Sequence, residues 1–327
     1  MTTLAYHASH EQFAPSQLLQ LVIAAAKSGF DAIHSSDHFH PWSTRQGHSG
    51  FSFAWMGAAM QPPSLPFSMV CAPGQRYHPA IAAQAIATLA EMFPGRLSVE
   101  LGSGEALNEM ITGTKWPSKK ERNERLLECV TIIRRLLAGE EVTYRGHVTV
   151  HQAKLYSLPS DPPLLFGTAI TEETARWCGS WADGLLTTAG SGDEARNKFA
   201  AFTAGGGTGK PLYIQFSFSY HPSKEIAMDE AYDQWRVNLL NTTDLANLHK
   251  PEHFEEAASG ITREQFAEKL PVFTSIDELF DHIEEFEAAG ASRIILHNVN
   301  RRHEQFIEDF GRFRSNWRMN KELENSF

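Results

Sequence analysis

The chain has 327 residues, of which 42% are hydrophobic and 21% are charged, and these are ordinary proportions for a globular protein with a large buried core. The formal net charge of −10 and the lack of a basic tract argue against nucleic acid or an anionic membrane as a partner. Cys71, Cys129 and Cys178 show no C-x-x-C spacing, so neither a disulfide framework nor a structural zinc site is expected.

The start of the chain lacks a basic stretch followed by an apolar run, and no window approaches 18 uninterrupted apolar residues. We therefore expect a cytoplasmic protein that acts on a small molecule.

Short apolar runs of strand length alternate with amphipathic stretches of helix length along the whole chain. The eight predicted strands cover residues 2–6, 31–35, 66–71, 97–102, 163–168, 184–187, 211–218 and 292–297. The eight predicted helices cover residues 15–28, 78–92, 118–138, 172–181, 193–203, 223–236, 276–289 and 301–316. This alternation predicts a parallel sheet.

Two folds fit eight alternating strands and helices, an open doubly wound sheet and a closed barrel. The open dinucleotide-binding sheet should carry G-x-G-x-x-G after its first strand, but residues 7–15 read HASHEQFAP. We therefore predict a (β/α)8 TIM barrel formed by one domain, residues 1–327. A plain barrel needs about 250 residues, so insertions are expected at about 139–162 and 237–272.

Candidate site residues, most of them titratable, follow the first, second and fourth predicted strands. They are His7, His10 and Glu11, then Asp37, His38, His40 and Trp42, and finally Ser103, Gly104 and Glu105. Because barrel strands end at one common mouth, these groups should lie close together. An isolated histidine is more often a hydrogen-bonded structural residue, but such clustering favours a functional site.

The H-x-H spacing of His38 and His40 invites an alternative prediction, a metal-dependent barrel hydrolase. The predicted ends of the fifth and sixth strands offer glycine and threonine instead of histidine or carboxylate. No metal is therefore expected, and the hydrolase remains the lesser alternative.

The other side of the mouth has a different character. Residues 167–171 run from a predicted strand into the start of a helix and offer free backbone N–H groups for a phosphate. A capped helix without a ligand is the other interpretation. With the titratable groups opposite, this turn suggests a slot for a phosphorylated planar cofactor.

Four segments carry a family resemblance: SSDHFHPW (35–42), GHSGFSFAWMGA (47–58), CAPGQRYHPAIAAQAIATL (71–89) and GSGEALNE (102–109). The chain resembles the luciferase-like flavin/deazaflavin oxidoreductases, particularly the branch that contains deazaflavin-dependent glucose-6-phosphate dehydrogenase. The resemblance is close from Tyr6 to Tyr144. It is weaker but colinear through WADGLL (181–186) and the C-terminal helix.

The resemblance implies roles for the residues that match. Asp37 and His38 would contact the reactive edge of the flavin, with His38 as proton donor or acceptor. Trp42 and Glu105 would flank the substrate, and Glu11 would complete the polar wall. The family also implies a cis peptide bond at Met69–Val70. The implied cofactor-binding residues are Asp37, His38, Met69, Val70, Gly102, Ser103, Gly104, Gly167, Thr168, Ala169 and Thr171.

The sequence departs from the family where the sugar-phosphate dehydrogenases bind the substrate phosphate with two lysines and an arginine. The aligned positions are Ser191, Glu256 and Lys269, so two of three positive charges are missing. A sugar phosphate would be repelled, and we do not expect glucose 6-phosphate as the substrate. The expected substrate-binding residues are Trp42, Thr188, Ser191 and Lys269.

The cofactor prediction depends on one turn. Relatives that use the deazaflavin carry Gly-Gly there, whereas this chain has Ile170-Thr171, which is closer to the loops of FMN users. The sequence therefore predicts a flavin-dependent oxidoreductase or monooxygenase that binds FMN or reduced FMN.

The first alternative is a dehydrogenase or reductase that uses coenzyme F420, and a third hypothesis is a binding protein without catalysis. A separate flavin reductase and a homodimer are further expectations from the family.

Overall fold

Eight parallel strands close into a barrel in the computed structural model, which describes residues 2–324 and side chains as far as residue 315. In order around the barrel, they are β1 (Thr3–Ala8), β2 (Ala32–Ser35), β3 (Phe67–Cys71), β4 (Leu97–Leu101), β7 (Leu164–Ala169), β8 (Leu185–Thr188), β9 (Leu212–Tyr220) and β11 (Arg293–Asn298). Strand β9 pairs with both β8 and β11, and β11 pairs with β1. The predicted TIM barrel is confirmed.

Three short strands lie outside the barrel wall. Strands β5 (Val142–Arg145) and β6 (Thr149–Ala153) form an antiparallel hairpin, and β10 (Val272–Phe273) extends the end of β9.

The helices surround the barrel and cover its mouth. They are α1 (Pro15–Lys27), α2 (Ser52–Ala59), α3 (Pro79–Met92), α4 (Ala106–Glu109), α5 (Lys119–Leu137), α6 (Glu172–Gly179), α7 (Gly192–Phe202), α8 (Lys224–Trp235), α9 (Thr242–Asn247), α10 (Pro251–Ala257), α11 (Arg263–Ala267), α12 (Ile276–Ala288) and α13 (His303–Glu324). In the described part of the chain, no helix combines the length and apolarity that crossing a bilayer requires.

Each predicted strand overlaps one barrel strand, with one consequential difference. The first strand was predicted to end at residue 6, but β1 continues to Ala8, so His7 lies within the strand. His7 stays in the ladder because it is in register with His34 of β2. The two predicted insertions contain the β5–β6 hairpin and the helices α9, α10 and α11.

The resemblance also implied a cis bond at Met69–Val70, and this is wrong for the present structure. Within residues 2–324 no cis peptide bond occurs. Strand β3 keeps its parallel register with β4 through this bond, with Met69 opposite Val99 and Val70 opposite Glu100.

The barrel wall is buried on both faces, which explains why its strands are almost continuously apolar. Outward-facing side chains such as Ile33 and Leu296 pack against the helices. Inward-facing side chains fill the lower barrel with a small cluster of Ala5, Ala32, Phe166, Leu186, Tyr213 and Ile295. Side chains alternate along a strand, so the residues two positions later face inward at a higher level.

That higher level is polar, and we call it the interior cluster: His7, His34, Glu100 and His297. Its members are between 0% and 3% exposed. Barrel interiors are normally filled by branched aliphatic side chains, so four titratable groups are unusual there. Ser68 approaches Glu100, but neither carboxyl oxygen of Glu100 has a hydrogen bond of normal geometry. Burial raises the pKa of Glu100 from its ordinary 4.5 to about 8.

This raised pKa predicts how stability depends on pH. The native state holds a proton on Glu100 that the unfolded state releases at a lower pH, so the unfolding free energy falls as pH rises from about 4.5 to about 8. Glutamine cannot ionise. We expect Glu100→Gln to be more stable than the natural protein at pH 8, by up to about 4 kcal/mol, and to differ little at pH 5.

Denaturant unfolding at pH 5, 6.5 and 8 measures this difference, with Glu91→Gln on the exposed face of α3 as the control. An equal effect of Glu100→Gln at all three pH values would contradict the assignment.

Candidate active site

The imidazole of His38 lies between two carboxylates at the barrel mouth. Its Nδ1 is 3.9 Å from Glu11 Oε1, and its Nε2 is 3.8 Å from Glu105 Oε2. The three residues follow β1, β2 and β4, so the barrel brings together groups that are far apart in sequence. Each nitrogen of the His38 ring therefore faces one carboxyl group.

Glu11 is held in place by one of its two oxygens. Its Oε2 accepts hydrogen bonds from Ser9 Oγ at 2.8 Å and from Ser36 Oγ at 2.9 Å. Its Oε1 is buried without a partner, and so is Nδ1 of His38. Buried polar atoms without partners are costly, which points to a site that becomes satisfied when a proton or ligand is bound.

Glu105 is the most accessible carboxylate of the group, with 34% of its side chain exposed. Desolvation raises its pKa above the ordinary value, and the nearby His38 opposes this rise. Asn108 fixes the loop, because its Oδ1 accepts from the backbone N–H of Phe39 at 2.9 Å and its Nδ2 lies 3.4 Å from Glu105 Oε2. Glu105 can therefore reach both His38 and a bound molecule.

Trp42 connects this polar site to the insertion. Its ring centroid is 5.0 Å from that of His38 and 5.4 Å from that of Phe254 on α10, which it meets edge to face. Its backbone N–H donates to Gln46 Oε1 at 2.8 Å. Trp42 therefore forms a wall of the site and is held by a segment outside the regular barrel units.

Asp37 is bound on both carboxylate oxygens by residues of the loop after β3. Arg76 Nη2 lies 2.7 Å from Oδ2, and Tyr77 Oη donates to Oδ1 at 3.0 Å. Burial raises the pKa of Asp37, and the guanidinium of Arg76 opposes this rise. We missed Arg76 and Tyr77 as site residues, although both lie in the matching segment CAPGQRYHP.

Glu109 completes a buried charge network around Arg76. Its Oε2 accepts from the backbone N–H of Arg76 at 2.6 Å, and its Oε1 is 3.6 Å from Arg76 Nε. Burial raises the pKa of Glu109 to about 7, and Arg76 opposes this rise. The network fixes the loops after β2, β3 and β4 relative to one another, so it holds His38 and Glu105 at their separation.

Two predicted mouth histidines have structural roles. His10 is buried, with Nε2 3.1 Å from Ser35 Oγ and its ring against Trp55, and burial lowers its pKa to about 4. His40 Nδ1 lies 2.9 Å from the carbonyl of Leu107, away from His38. Among residues 2–324, no three His, Cys, Asp or Glu side chains are grouped to hold a metal ion.

The predicted cofactor side is formed where β4 and β7 end next to each other. A Cβ placed on Gly102 would come within 2.8 Å of Thr168 Oγ1, which itself donates to the carbonyl of Leu101 at 3.3 Å. Gly104 has a φ of 81°, which favours glycine, and Ser103 beside it is half-buried. This cradle of bare backbone fits the edge of a flat ring.

Strand β7 leads into α6 through residues that are small or buried. A Cβ on Gly167 would lie 2.6 Å from Cys178 Sγ, so glycine permits α6 to pack closely, and Ala169 is buried. Thr171 is the N-cap of α6, and its Oγ1 accepts from the N–H of Thr174 at 3.3 Å. Thr171 therefore caps this helix, and its own O–H can still donate to a ligand at the turn.

A cavity of about 700 Å³ opens at the ends of β8 and β9. Thr188 and Lys269, both predicted substrate residues, are among its lining side chains. Ser191 caps α7 one residue beyond Gly190, which also lines the cavity. Ile261 belongs both to this lining and to the apolar cluster that contains Trp42.

A model of the luciferase-like monooxygenase family matches residues 1–293. The chain belongs to this family. It is 35% identical to an F420-dependent glucose-6-phosphate dehydrogenase of Segniliparus rotundus over 321 residues, which cover 94% of this chain and 96% of that protein. The predicted family resemblance is confirmed.

Solved structures agree with this placement. An F420-dependent secondary alcohol dehydrogenase in complex with an F420-acetone adduct matches with a TM-score of 0.88 and 30% identity, covering 95% of this chain and 98% of that one. The FMN-bound oxygenating component of 3,6-diketocamphane monooxygenase from Pseudomonas putida matches with a TM-score of 0.70 and 14% identity, covering 95% of both chains, and shows the shared fold alone.

The Arg76 network predicts a large loss of stability when its cation is removed. Arg76→Ala would leave Asp37 and Glu109 buried without their partner, and we expect a loss of about 3 kcal/mol in unfolding free energy. Arg45→Ala is a matched control, because Arg45 and Asp233 form an exposed pair for which about 0.5 kcal/mol is expected. Urea unfolding of both variants at pH 7 measures the difference, and similar losses would refute it.

Proposed function

We propose that this luciferase-like oxidoreductase is a dehydrogenase or reductase that uses coenzyme F420 and interconverts a small alcohol and its carbonyl product. The carrying observation is the placement of His38 between Glu11 and Glu105 beside a bare-backbone cradle. Relatives and a solved structure that are 30% to 35% identical to the chain are F420-dependent, which supports this cofactor over FMN.

The cradle residues fit a planar cofactor with a phosphorylated tail. Gly102, Ser103 and Gly104 would hold one edge of the ring, and residues 167–169 would lie beside the tail. Val70 is half-buried on β3 and would support the ring from below. When bound, the deazaflavin ring accepts or donates a hydride, while the protein controls orientation and protons.

The proton chemistry belongs to His38. Oxidation of an alcohol to a ketone removes a hydride from carbon and a proton from oxygen, and a base must take that proton. The ring of His38 would receive this proton, because the carboxyl groups of Glu11 and Glu105 on either side would stabilise its positive charge. Trp42 would limit the space for the substrate on the side facing α10.

The charges near the cavity disfavour a sugar phosphate. Glu194 and Glu268 line the cavity with Lys269, and Glu194 is paired with Lys198 at 2.6 Å. A single lysine therefore faces the cavity together with an acidic neighbour, and a phosphate dianion would gain little. An uncharged alcohol is the substrate class that we propose.

The first experiment titrates purified protein with F420 and with FMN and follows absorbance and fluorescence. We expect tighter binding of F420, and reduction of the bound F420 on addition of propan-2-ol, with glucose 6-phosphate much less active. Tight binding of FMN with F420 excluded would overturn the cofactor assignment.

The second experiment replaces the proposed proton acceptor. His38→Asn keeps a polar side chain of similar size, and we expect turnover to fall by about 10² to 10⁴ while F420 affinity changes less than tenfold. His40→Asn is the control, since His40 contacts the Leu107 carbonyl instead of the site. Equal turnover in His38→Asn and the natural protein, measured by F420 reduction, would rule out the role.

A further inference from the structure

The interior cluster begins with two histidines in direct contact. His7 Nδ1 and His34 Nδ1 are 2.8 Å apart, across the register pair that joins β1 and β2. A hydrogen bond between two ring nitrogens requires a proton on one and a lone pair on the other. The two rings are therefore coupled, because the tautomer of one determines the tautomer of the other.

Glu100 lies at the inner end of this pair. Its Oε2 is 3.9 Å from His34 Nε2, and both side chains are fully buried. The carboxyl oxygens and His34 Nε2 have no normal hydrogen bond, so each has an unused capacity to give or accept a proton. A small movement of either side chain brings them within hydrogen-bond distance.

The outer end of the cluster reaches the cavity at the ends of β8 and β9. The ring of His297 is 4.0 Å from the ring of His7, centroid to centroid. His297 Nδ1 lies 3.2 Å from Gln215 Nε2 and 3.4 Å from Ser217 Oγ, and both of these residues line the cavity. Trp235, another lining residue, packs edge to face on His297. The four titratable side chains thus run from the barrel centre to the cavity floor.

Their protonation states suit a chain that carries protons. Burial lowers the pKa of His34 to about 3 and holds the pKa of His7 and of His297 well below the ordinary value. Burial raises the pKa of Glu100 to about 8. Near neutral pH all four groups are therefore uncharged, with one acidic proton stored on Glu100.

We propose that the interior cluster is a proton relay that connects Glu100 to the floor of the cavity. The carboxyl O–H of Glu100 gives its proton to His34 Nε2, and His34 passes the proton on its Nδ1 to His7 Nδ1. The proton on the second ring nitrogen of His7 is then taken up by a water molecule or a substrate carbonyl oxygen in the cavity, whose floor is formed by Gln215 and Ser217 next to His297. One proton is released, both rings exchange tautomers, and Glu100 becomes a carboxylate until the reverse sequence restores it.

The charged and titratable surroundings are consistent with this sequence. Ionised Glu100 would be stabilised by Arg293 of β11, whose guanidinium also stacks on Tyr213. The groups that face Glu100 are His34, Arg293 and Tyr213, and those that face His7 are His34, His297, His303 and His10. Above about pH 8 Glu100 has lost its proton and cannot donate one, so the relay works only at lower pH.

The relay is tested first without any cofactor, by nitrogen NMR of histidine-labelled protein between pH 6 and 9. We expect ring signals of His7 and His34 to shift together as Glu100 ionises, and Glu100→Gln to abolish that shared shift. Ser98→Ala, two positions earlier on β4, is the matched control and should retain it. Ring signals that do not move, or that move equally in Glu100→Gln, overturn the proposal.

Its use in turnover rests on the proposed function and is tested separately. With reduced F420 and acetone, the direction in which the carbonyl oxygen takes up a proton, we expect Glu100→Gln to lower kcat about tenfold, to leave KM within twofold and to remove the loss of activity above about pH 8. An unchanged kcat and pH profile would overturn the link to turnover. If the protein binds no F420, the proposed function fails while the NMR result still decides the relay.

Discussion

Closure of the sheet is the constraint on which the rest of the structure depends. Because β9 bonds to both β8 and β11, every second side chain of each strand is enclosed within the barrel. The same closure directs all eight carboxyl ends to one rim, where Glu11, His38 and Glu105 meet. The enclosed space makes polar side chains costly, and the interior cluster is the place where the barrel carries this cost.

The barrel could be predicted because parallel strands that are buried on both faces leave continuous apolar runs in the sequence. Prediction was less accurate where a polar residue is buried or where a helix is buried on most of its sides. His7 follows the apolar run of β1 and resembles the start of a loop, yet it continues the strand. Helix α2 was missed because Phe53, Trp55 and Met56 are buried around much of its circumference, which removes the amphipathic period.

The rim residues could be predicted because each directly follows a strand and carries a titratable side chain. Arg76 and Glu109 were missed because their role depends on contacts between loops, which one strand and its end do not reveal. Glu100 and His34 were missed because each was counted as part of a strand. The direction of a side chain, inward or outward, depends on register, and register is fixed only when the barrel closes.

Trp42 contacts α10 and so lies at the boundary between two parts of the protein that can change independently. Phe254 packs on Trp42, and Glu255 accepts hydrogen bonds from Thr44, so a segment inserted between the last barrel units shapes the entrance to His38. Glu11, His38 and Glu105 belong instead to the loops after β1, β2 and β4. Substitutions in the insertion can therefore change the surroundings of Trp42 without altering the strands that hold His38 between two carboxyl groups, so the two parts of the protein are free to diverge separately.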